Sequence, residues 1–315
     1  MIQYIIRRVL LLFVTMFVTS IIIFGLTQLL PGDVARIVLG RDAQDEALEA
    51  FREDFGLNDP VPEQYTRWLG GFLTGDWGRS FTSGNAPVRP LVIDRLGNSL
   101  ILGLATLLIS IPLSIALGVL AALQENSWLD SLVSLVSLSV VGLPEFVTGL
   151  VLINTLALGL GWFPTTSLVS DDYSLGEWIH ILTLPAITAT LVLLGYISRM
   201  TRAGVIDELK QAYVRTAILK GLPRRTVILK HVLRNALLPT ITVIAISIGW
   251  LIGGLVVIEN VFNFPGLGTL VVDAVLQKNI PLLQAITMVI VFVFALANLV
   301  ADVLYALLNP RIRLT

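Results

Sequence analysis

The residues of this chain that are capable of chemistry are few and widely spaced. It contains no cysteine and two histidines, His180 and His231. Without cysteine there is no disulfide, no thiolate metal site and no cysteine nucleophile. The hydropathy pattern places the two histidines on opposite sides of a membrane, so they cannot share a metal ion. We therefore predict no metal site and no cofactor on this chain.

Common catalytic motifs do not occur either. There is no Gly-x-x-x-x-Gly-Lys-Ser/Thr phosphate loop, so the chain itself is not expected to hydrolyse ATP. Asp207 and His231 are predicted on the same side of the membrane, but nothing positions a nucleophile between them. We predict no catalytic residue. A membrane-embedded hydrolase would need several polar catalysts clustered within apolar segments.

Glu145 is the outstanding ionisable residue inside an apolar run. A charged side chain at the centre of a bilayer costs roughly 2.5–3.5 kcal/mol on insertion scales. Pro144 precedes it and frees a backbone carbonyl, so a kink facing a water-filled path would accommodate both. Two interpretations stay open: a substrate or gate contact, and a hydrogen-bonded kink. Glu259 and Phe264, at the end of a later apolar run, are further gate candidates, with an interfacial turn as the alternative.

These side chains must be positioned by helices that cross a membrane. The chain has 315 residues, 55% hydrophobic and 14% charged, with mean hydropathy +0.85, whereas soluble domains carry about 25% charged residues. A membrane-crossing helix needs about 20 mainly apolar residues. The fold class is therefore an all-α membrane protein. Its six predicted transmembrane helices are residues 9–30, 100–123, 132–160, 181–198, 237–258 and 282–308.

The first apolar segment is expected to remain as a span and not to be cleaved as a signal peptide. It is long for a signal core, no small-x-small cleavage site follows it, and Pro31–Gly32–Asp33 is predicted to end the helix. The third and sixth segments are long enough to be tilted or kinked.

Lysine and arginine in the short loops predict the orientation, because they accumulate on the cytoplasmic side. Thirteen of them fall on one side if six spans alternate, while the opposite short loops contain Lys278 alone. Both termini are therefore predicted to be cytoplasmic. The net charge of −1 gives no general attraction to nucleic acid, and we expect none as a partner.

The long outer loop, residues 31–97, has the composition of a small folded insert. Residues 43–55 and 63–73 each place apolar side chains at helical spacing. We favour a helical cap that packs on the outer ends of the spans, because amphipathic helices usually pack in this way. A gate or a docking surface for an external partner is the alternative.

The segment 199–239 is the most informative loop, since nine of the chain's 21 Lys and Arg lie between Arg199 and Arg234. One helix is predicted from about 201 to 217 and a second from about 224 into the fifth span. Gly221 and Pro223 break the chain between them, because glycine suits the position after a helix and proline cannot extend one. Anionic lipid would explain the charges. It does not explain the apolar side chains among them, which suit a groove on another protein.

This segment resembles the cytoplasmic signature of bacterial ABC-importer permeases, most closely those of the dipeptide, oligopeptide and nickel branch. The resemblance is carried by residues 212–217, by Lys220–Gly221 and by residues 233–239. Arg215–Thr216–Ala217 stand where the wider family has Glu-Ala-Ala. Motifs of the same branch follow one another along nearly the whole chain: Tyr4 to Arg8, Leu30 to Asp33, Gly56–Leu57, Gly75 to Ser80, Val261 to Gly268, Asp302 to Tyr305 and Asn309 to Arg311.

The resemblance implies a type I importer permease in the bacterial inner membrane. The expected organisation is a first span (1–30), an external insert (31–97), a five-span core (98–308) with a coupling loop (199–236), and a cytoplasmic tail (309–315). The partners it implies are a second permease subunit, favoured to be a distinct homologous chain, two cytoplasmic ATPases that bind ATP and magnesium, an external solute-binding protein and the lipid bilayer.

The resemblance also assigns a coupling role to the loop, which transmits the work of the ATPases. The cargo it implies is di- and oligopeptides, with nickel, glutathione or another small solute as the alternative. An ion-driven secondary transporter is a different class, and it would predict internal repeats that the hydropathy pattern does not show. The residues predicted to contact the ATPase are Tyr213, Arg215, Thr216, Ala217, Gly221, Leu222, Pro223 and Arg224.

Overall fold

The computed structural model describes residues 2–29, 34–40, 43–82, 84–170 and 172–308. The predicted helix end at Pro31–Gly32–Asp33 and the predicted tail 309–315 lie outside these residues. The described helices, in chain order, are α1 (Ile2–Gln28), α2 (Val34–Leu39), α3 (Asp45–Asp54), α4 (Val61–Thr74), α5 (Val88–Leu123), α6 (Trp128–Gly142), α7 (Glu145–Leu152), α8 (Leu175–Leu209), α9 (Ala212–Leu219), α10 (Arg224–Thr226), α11 (Leu233–Val261), α12 (Leu267–Leu276) and α13 (Ile280–Leu308).

Within the described ranges, five helical runs are long and apolar enough to cross a membrane. They are α1, α5, α8, the run from Arg224 into α11, and α13. A sixth crossing is possible if α6 and the helix after it, which continues as a π-helical turn over Ile153–Gly159, count as one broken span. The predicted all-α membrane fold is confirmed.

The third predicted span, 132–160, is broken into two helices that meet at 111°. Leu143 and Pro144 form this bend, because both have extended backbone, with ψ of 135° and 140°. Pro144 has no N–H to donate, so it stands at the start of α7, where that bond is not needed. The bend thus presents Glu145 at a helix N-terminus in the middle of an apolar segment.

Two other boundaries differ from the sequence prediction. Helix α5 begins at Val88, so the predicted limit between insert and core at residues 97–98 falls inside a helix. The predicted helix 201–217 is wrong, because α8 ends at Leu209 and Gln211 adopts extended backbone (φ −71°, ψ 146°) before α9. This change of direction allows Val214 of α9 to be buried.

The chain divides into two compact units, of which the first contains residues 1–5, 100–264 and 296–315. Helix α8 is its central element, since most of its apolar residues are buried. Three glycines allow neighbouring helices to approach closely: Gly118 of α5 meets the Ser198 carbonyl, Gly195 of α8 meets Val141 of α6, and Gly204 of α8 meets the Ala236 carbonyl of α11.

The second unit contains residues 6–99 and 265–295. Both amphipathic helices predicted in the outer loop are present, as α3 and α4. Tyr65 and Trp68 of α4 pack their rings on Phe24 of α1, at centroid distances of 5.4 and 5.7 Å. The Tyr65 hydroxyl also lies 2.9 Å from the Ser20 hydroxyl. The insert therefore packs on the end of the first span, as the cap interpretation expects.

The segment between α4 and α5 is held by a buried asparagine. Asn279, fully buried, donates from its side-chain amide to the hydroxyls of Ser80 (2.7 Å) and Thr82 (3.0 Å). Its side-chain oxygen accepts from the Phe81 N–H at 3.2 Å. Because a buried amide left unpaired is costly, this network fixes the turn that follows the Gly75-to-Ser80 motif.

Candidate functional site

The central feature of the candidate site is the elbow, defined here as residues 210–223. Helix α9 occupies most of it and ends in a Schellman motif. The Leu222 N–H donates to the Ala217 carbonyl at 3.3 Å, and the Gly221 N–H donates to the Ile218 carbonyl at 2.9 Å. Gly221 has φ +78°, a conformation that disfavours other residues. The stop predicted from Gly221 is therefore present, and Pro223 caps α10.

One side of the elbow is packed into the protein. Val214 is 3% exposed and belongs to a cluster with Val205 and Ile206 of α8 and Ala236 of α11. Ala217 packs against the same cluster. Protein interiors are closely packed and transmit strain. These contacts therefore fix α9 to α8 and to α11.

A hydrogen-bond network reinforces this attachment. The Tyr213 hydroxyl donates to the Glu208 carboxylate at 2.7 Å, and the Asn235 side-chain amide donates to the same carboxylate at 3.2 Å. Partial burial, and next the bond to Glu208, raise the pKa of the Tyr213 phenol, so it stays protonated and able to donate. The network joins α8, α9 and α11 at one point.

The opposite side of the elbow is apolar and exposed. Leu219 is 79% exposed, Ile218 56% and Leu222 39%. Arg215 and Arg224 are also exposed and flank this apolar surface along the chain. In the described part of the chain, most exposed large apolar residues lie on helices long enough to span a membrane, but α9 has only eight residues. We call the exposed side chains of Ile218, Leu219 and Leu222 the apolar knob.

The structure places the predicted coupling residues on both sides of the elbow. Ala217 faces inward with Val214, and Tyr213 belongs to the polar network. The predicted residues that are exposed are Tyr213, Arg215, Thr216, Gly221, Leu222, Pro223 and Arg224. The sequence prediction missed Glu208 and Asn235, because their contacts with Tyr213 depend on how three helices meet.

An ion pair between a buried aspartate and a partly exposed arginine was also missed. Arg202 of α8 donates from Nε and Nη2 to the two carboxylate oxygens of Asp130, at 2.5 and 2.6 Å. The Asp130 side chain is 6% exposed and that of Arg202 is 29% exposed. The local signal was Ser127-x-x-Asp130, a helix-start pattern, and Ser127 does cap α6 by accepting from the Asp130 N–H. The partner, 72 residues away, has no such local signal.

At the bend, Glu145 is half-buried. Its Oε2 atom is buried and has no hydrogen-bond partner among the described residues. A methyl group placed on Gly254 of α11 would lie 3.4 Å from this oxygen and 3.2 Å from the Trp250 ring. The carboxyl group and the indole therefore lie against the same short stretch of α11.

The other two gate candidates are buried. Glu259 is 1% exposed and Phe264 is fully buried in the main apolar cluster of its unit. The Phe264 N–H donates to the Glu259 carbonyl at 2.8 Å, which closes the turn after α11. Within a single chain both residues stabilise a packed turn, and their role as a gate stays a prediction.

Apolar membrane helices, a broken span with a carboxylate at its bend, and an anchored elbow with an exposed apolar surface together define a membrane subunit of a transport complex. Residues 114–314 match the family described as the binding-protein-dependent transport system inner membrane component. Residues 1–113 match the N-terminal family of the same transport-system membrane components. The chain belongs to this family and is an ABC-transporter permease subunit.

Two relatives match this chain over nearly its whole length. The chain is 38% identical over 314 residues to the oligopeptide transport system permease protein AppB of Bacillus subtilis (strain 168), with 99% of each chain covered. It is 37% identical over 313 residues to the glutathione transport system permease protein GsiC of Escherichia coli (strain K12), again with 99% of each covered.

A solved structure shows the same fold. The crystal structure of an amino acid ABC transporter with histidines matches with a TM-score of 0.50 and 16% identity, over 70% of this chain and 94% of the other. At this identity the likeness concerns the fold alone. It agrees with the helical membrane architecture described above.

Proposed function

We propose that this chain is a permease subunit of a peptide-importing ABC transporter and that its elbow docks on a cytoplasmic ATPase. The apolar knob is the observation that carries the proposal. An exposed leucine and isoleucine on a short, anchored helix favour a protein groove, because apolar surface is stabilised by removal from water. The packed inner face of α9 supports the knob, so a push on the knob reaches α8 and α11.

The chain is proposed to work with partner subunits. It has no phosphate loop of its own, so ATP and magnesium would bind to two ATPase subunits. A second permease, favoured to be a distinct homologous chain, would complete the pathway, and an external solute-binding protein would deliver cargo. Both termini and the elbow would face the cytoplasm of a bacterial cell, and the insert would face outward.

Peptides are the proposed cargo. AppB is named for oligopeptides and GsiC for glutathione. These names support di- and oligopeptides as the proposed cargo, with glutathione as the alternative ahead of nickel or another small solute.

The bend supplies a candidate contact for such a cargo. A carboxylate beside an indole attracts an ammonium group by charge and by the cation–π interaction. Glu145, with Trp250 nearby, has this chemistry, and Pro144 holds the bend that presents it. We propose that Glu145 contacts the cargo during passage.

The docking proposal is tested by adding charge to the knob. The complex is purified with Leu219→Glu, and the ATPase that copurifies is quantified. Loss of binding by about tenfold or more is expected, because burying one leucine side chain contributes roughly 1.5–3 kcal/mol. The matched control is Leu73→Glu on α4, because Leu73 is 77% exposed and Leu219 is 79% exposed.

Two results would contradict docking at the knob. One is full retention of the ATPase by Leu219→Glu and also by Gly221→Arg, which adds bulk beside the knob. The other is a stronger loss on reversing Arg224 and Arg225 to Glu than on either of these changes, as lipid binding would predict. Peptide uptake by vesicles that contain this chain alone, driven by a proton gradient, would contradict the ABC mechanism itself.

A further inference from the structure

Polar contacts join helix α6 to α8 at two positions along their length. The Asp130–Arg202 ion pair is bidentate, so it restrains both distance and orientation. Further along the same two helices, the buried hydroxyls of Ser137 and Ser198 lie 3.0 Å apart. These contacts oppose sliding of one helix along the other.

The carboxylate of Asp130 is also fixed on its own side. Its Oδ2 atom accepts from the Asn126 N–H at 3.0 Å, and Asn126 has a left-handed backbone with φ +66°. Ser127 caps the same helix start. The turn at the start of α6 therefore restrains the Asp130 carboxylate independently of Arg202. Arg202 thus binds a carboxylate whose position is already fixed.

Close packing also holds α6 against α8. A methyl group on Gly195 of α8 would clash with the Val141 side chain and lie 2.8 Å from the Ser137 carbonyl. Helix α8 is thus in contact with the backbone of α6 at Ser137 and with the side chain of Val141, one residue before Gly142, where α6 ends. Beyond Gly142 comes the bend. Helix α6 therefore runs from the ion pair to the bend without a break.

The ion pair also lies next to the elbow. Arg202 lies in the same helix as Glu208, which binds Tyr213 of α9. A continuous path of helix and packed contact runs from the apolar knob through α8 to Asp130, and through α6 to Glu145. Helices are stiff, so such a path can transmit a rigid-body movement.

We propose that Asp130 and Arg202 are positioning residues that lock α6 to α8, so that a movement of the elbow is delivered to the bend at Leu143–Pro144. The inference rests on the proposed function, in which the ATPases move the elbow. The pair acts through the helices and does not contact cargo.

An exposed ion pair in the insert provides a control. Arg67 of α4 binds the Asp59 carboxylate, with side-chain exposures of 58% and 37%. Exposed pairs of this kind are screened by water and contribute little. Removing this pair changes a charge contact outside the elbow, α6 and α8, and it leaves the Asp130–Arg202 pair intact.

The first test measures whether α6 and α8 move together. The chain has no cysteine, so Leu135→Cys on α6 and Met200→Cys on α8 accept spin labels at two defined places on this subunit. The distance between the labels is measured in the assembled complex, without nucleotide and with ATP trapped. We expect it to be unchanged in the otherwise wild-type chain and to change between the two states in Asp130→Asn. A change in the otherwise wild-type chain would overturn the proposal, whether or not any variant folds.

The second test measures coupling in vesicles as peptides imported per ATP hydrolysed. Asp130→Asn and Arg202→Gln are expected to lower this ratio roughly two- to thirtyfold, the range of measured coupling changes, while the ATPase stays bound. The charge exchange Asp130→Arg with Arg202→Asp should recover part of the loss. Asp59→Asn with Arg67→Gln, which removes an exposed ion pair of the insert, should leave the ratio unchanged.

Two outcomes of the vesicle experiment have different meanings. An unchanged ratio in Asp130→Asn and Arg202→Gln, with normal wild-type import, overturns the positioning role alone. Absence of ATP-dependent peptide import by the wild-type complex contradicts the proposed function instead.

Discussion

At the scale of single residues, Glu145 stands out because one of its carboxyl oxygens is buried without a hydrogen-bond partner among the described residues. Buried polar atoms are nearly always paired, and a charge inside a bilayer is costly. The hypothesis of a hydrogen-bonded kink requires such a bond, and the structure shows none for Oε2. The proposed contact with a charged cargo would require this oxygen, buried in the structure, to become accessible during transport.

Glu145→Gln is therefore predicted to lower peptide uptake by about tenfold, since a hydrogen bond to a charged group contributes roughly 1.5–3 kcal/mol. Uptake is measured per assembled complex in vesicles, together with the thermal unfolding midpoint. The control is Glu63→Gln, an exposed carboxylate on α4. If uptake is unchanged and the unfolding midpoint falls, Glu145 has a structural role in the kink.

Residue types predicted the local breaks well and the long-range contacts poorly. Gly221 and Pro223 indicated the end of α9, because the backbone preferences of glycine and proline act at the position of the residue itself. The break at Gln211 carries no such residue, and it depends on Val214 reaching a cluster built by other helices. Asp130 and Arg202 could be recognised singly, but only the packing of α6 on α8 pairs them.

At the scale of elements, α8 organises its unit through close helix contacts. Gly204 allows α11 to approach until the Ala236 carbonyl occupies the space of a side chain. The hydroxyls of Thr201 and Thr240 lie 3.2 Å apart in the same contact. The spacing of α8 and α11 thus determines where the two ends of the elbow are held.

Gly204→Val is predicted to push α11 away from α8 and displace the elbow, because overpacking a close contact costs about 1–3 kcal/mol. Less ATPase should copurify, and the unfolding midpoint should fall. Gly253→Val on α11 is the control, since a Cβ atom there would meet no atom within 4 Å outside the adjacent backbone of its own helix. Equal behaviour of the two variants would show that this contact does not position the elbow.

The helices could be predicted from the sequence where hydropathy alone determines their position. Apolar runs located the spans and the amphipathic helices of the insert, because burial in lipid or against a neighbour follows side-chain chemistry. Helix α12 was missed, since its ten residues are too few to span a membrane. The start of α5 at Val88 was missed because its first turns bury Val88 and Val92 in the core of the second unit, to which both residues belong, and hydropathy does not distinguish such a segment from a loop.

At the scale of the whole molecule, the distribution of Lys and Arg predicts which surfaces meet the cytoplasm. Leu219 on the elbow and Leu73 on the insert are similarly exposed, at 79% and 77%. The chain lacks cysteine, so Leu219→Cys and Leu73→Cys each create one site for a thiol reagent. In a chain expressed without the ATPase subunits, which are proposed to cover the knob, the two sites therefore test the topology with equal sensitivity.

A reagent that cannot cross membranes is predicted to label Leu73→Cys in intact cells and to label Leu219→Cys only after the membrane is opened. Labelling is quantified by mass shift of the purified chain. Labelling of both sites in intact cells would contradict the predicted orientation. Labelling of Leu219→Cys alone would indicate the reverse orientation.

The π-helical turn Val227–Val232, between α10 and α11, has a further consequence. A π-helical turn closes wider rings than an α-helix and so contains a surplus residue. Deleting one residue there would restore regular bonding and rotate the Arg224 end by about 100° relative to α11, since each α-helical residue turns the chain by that angle. The direction in which the elbow points is thus set by chain length, whereas its binding chemistry is set by side chains. In this permease the two properties can vary independently.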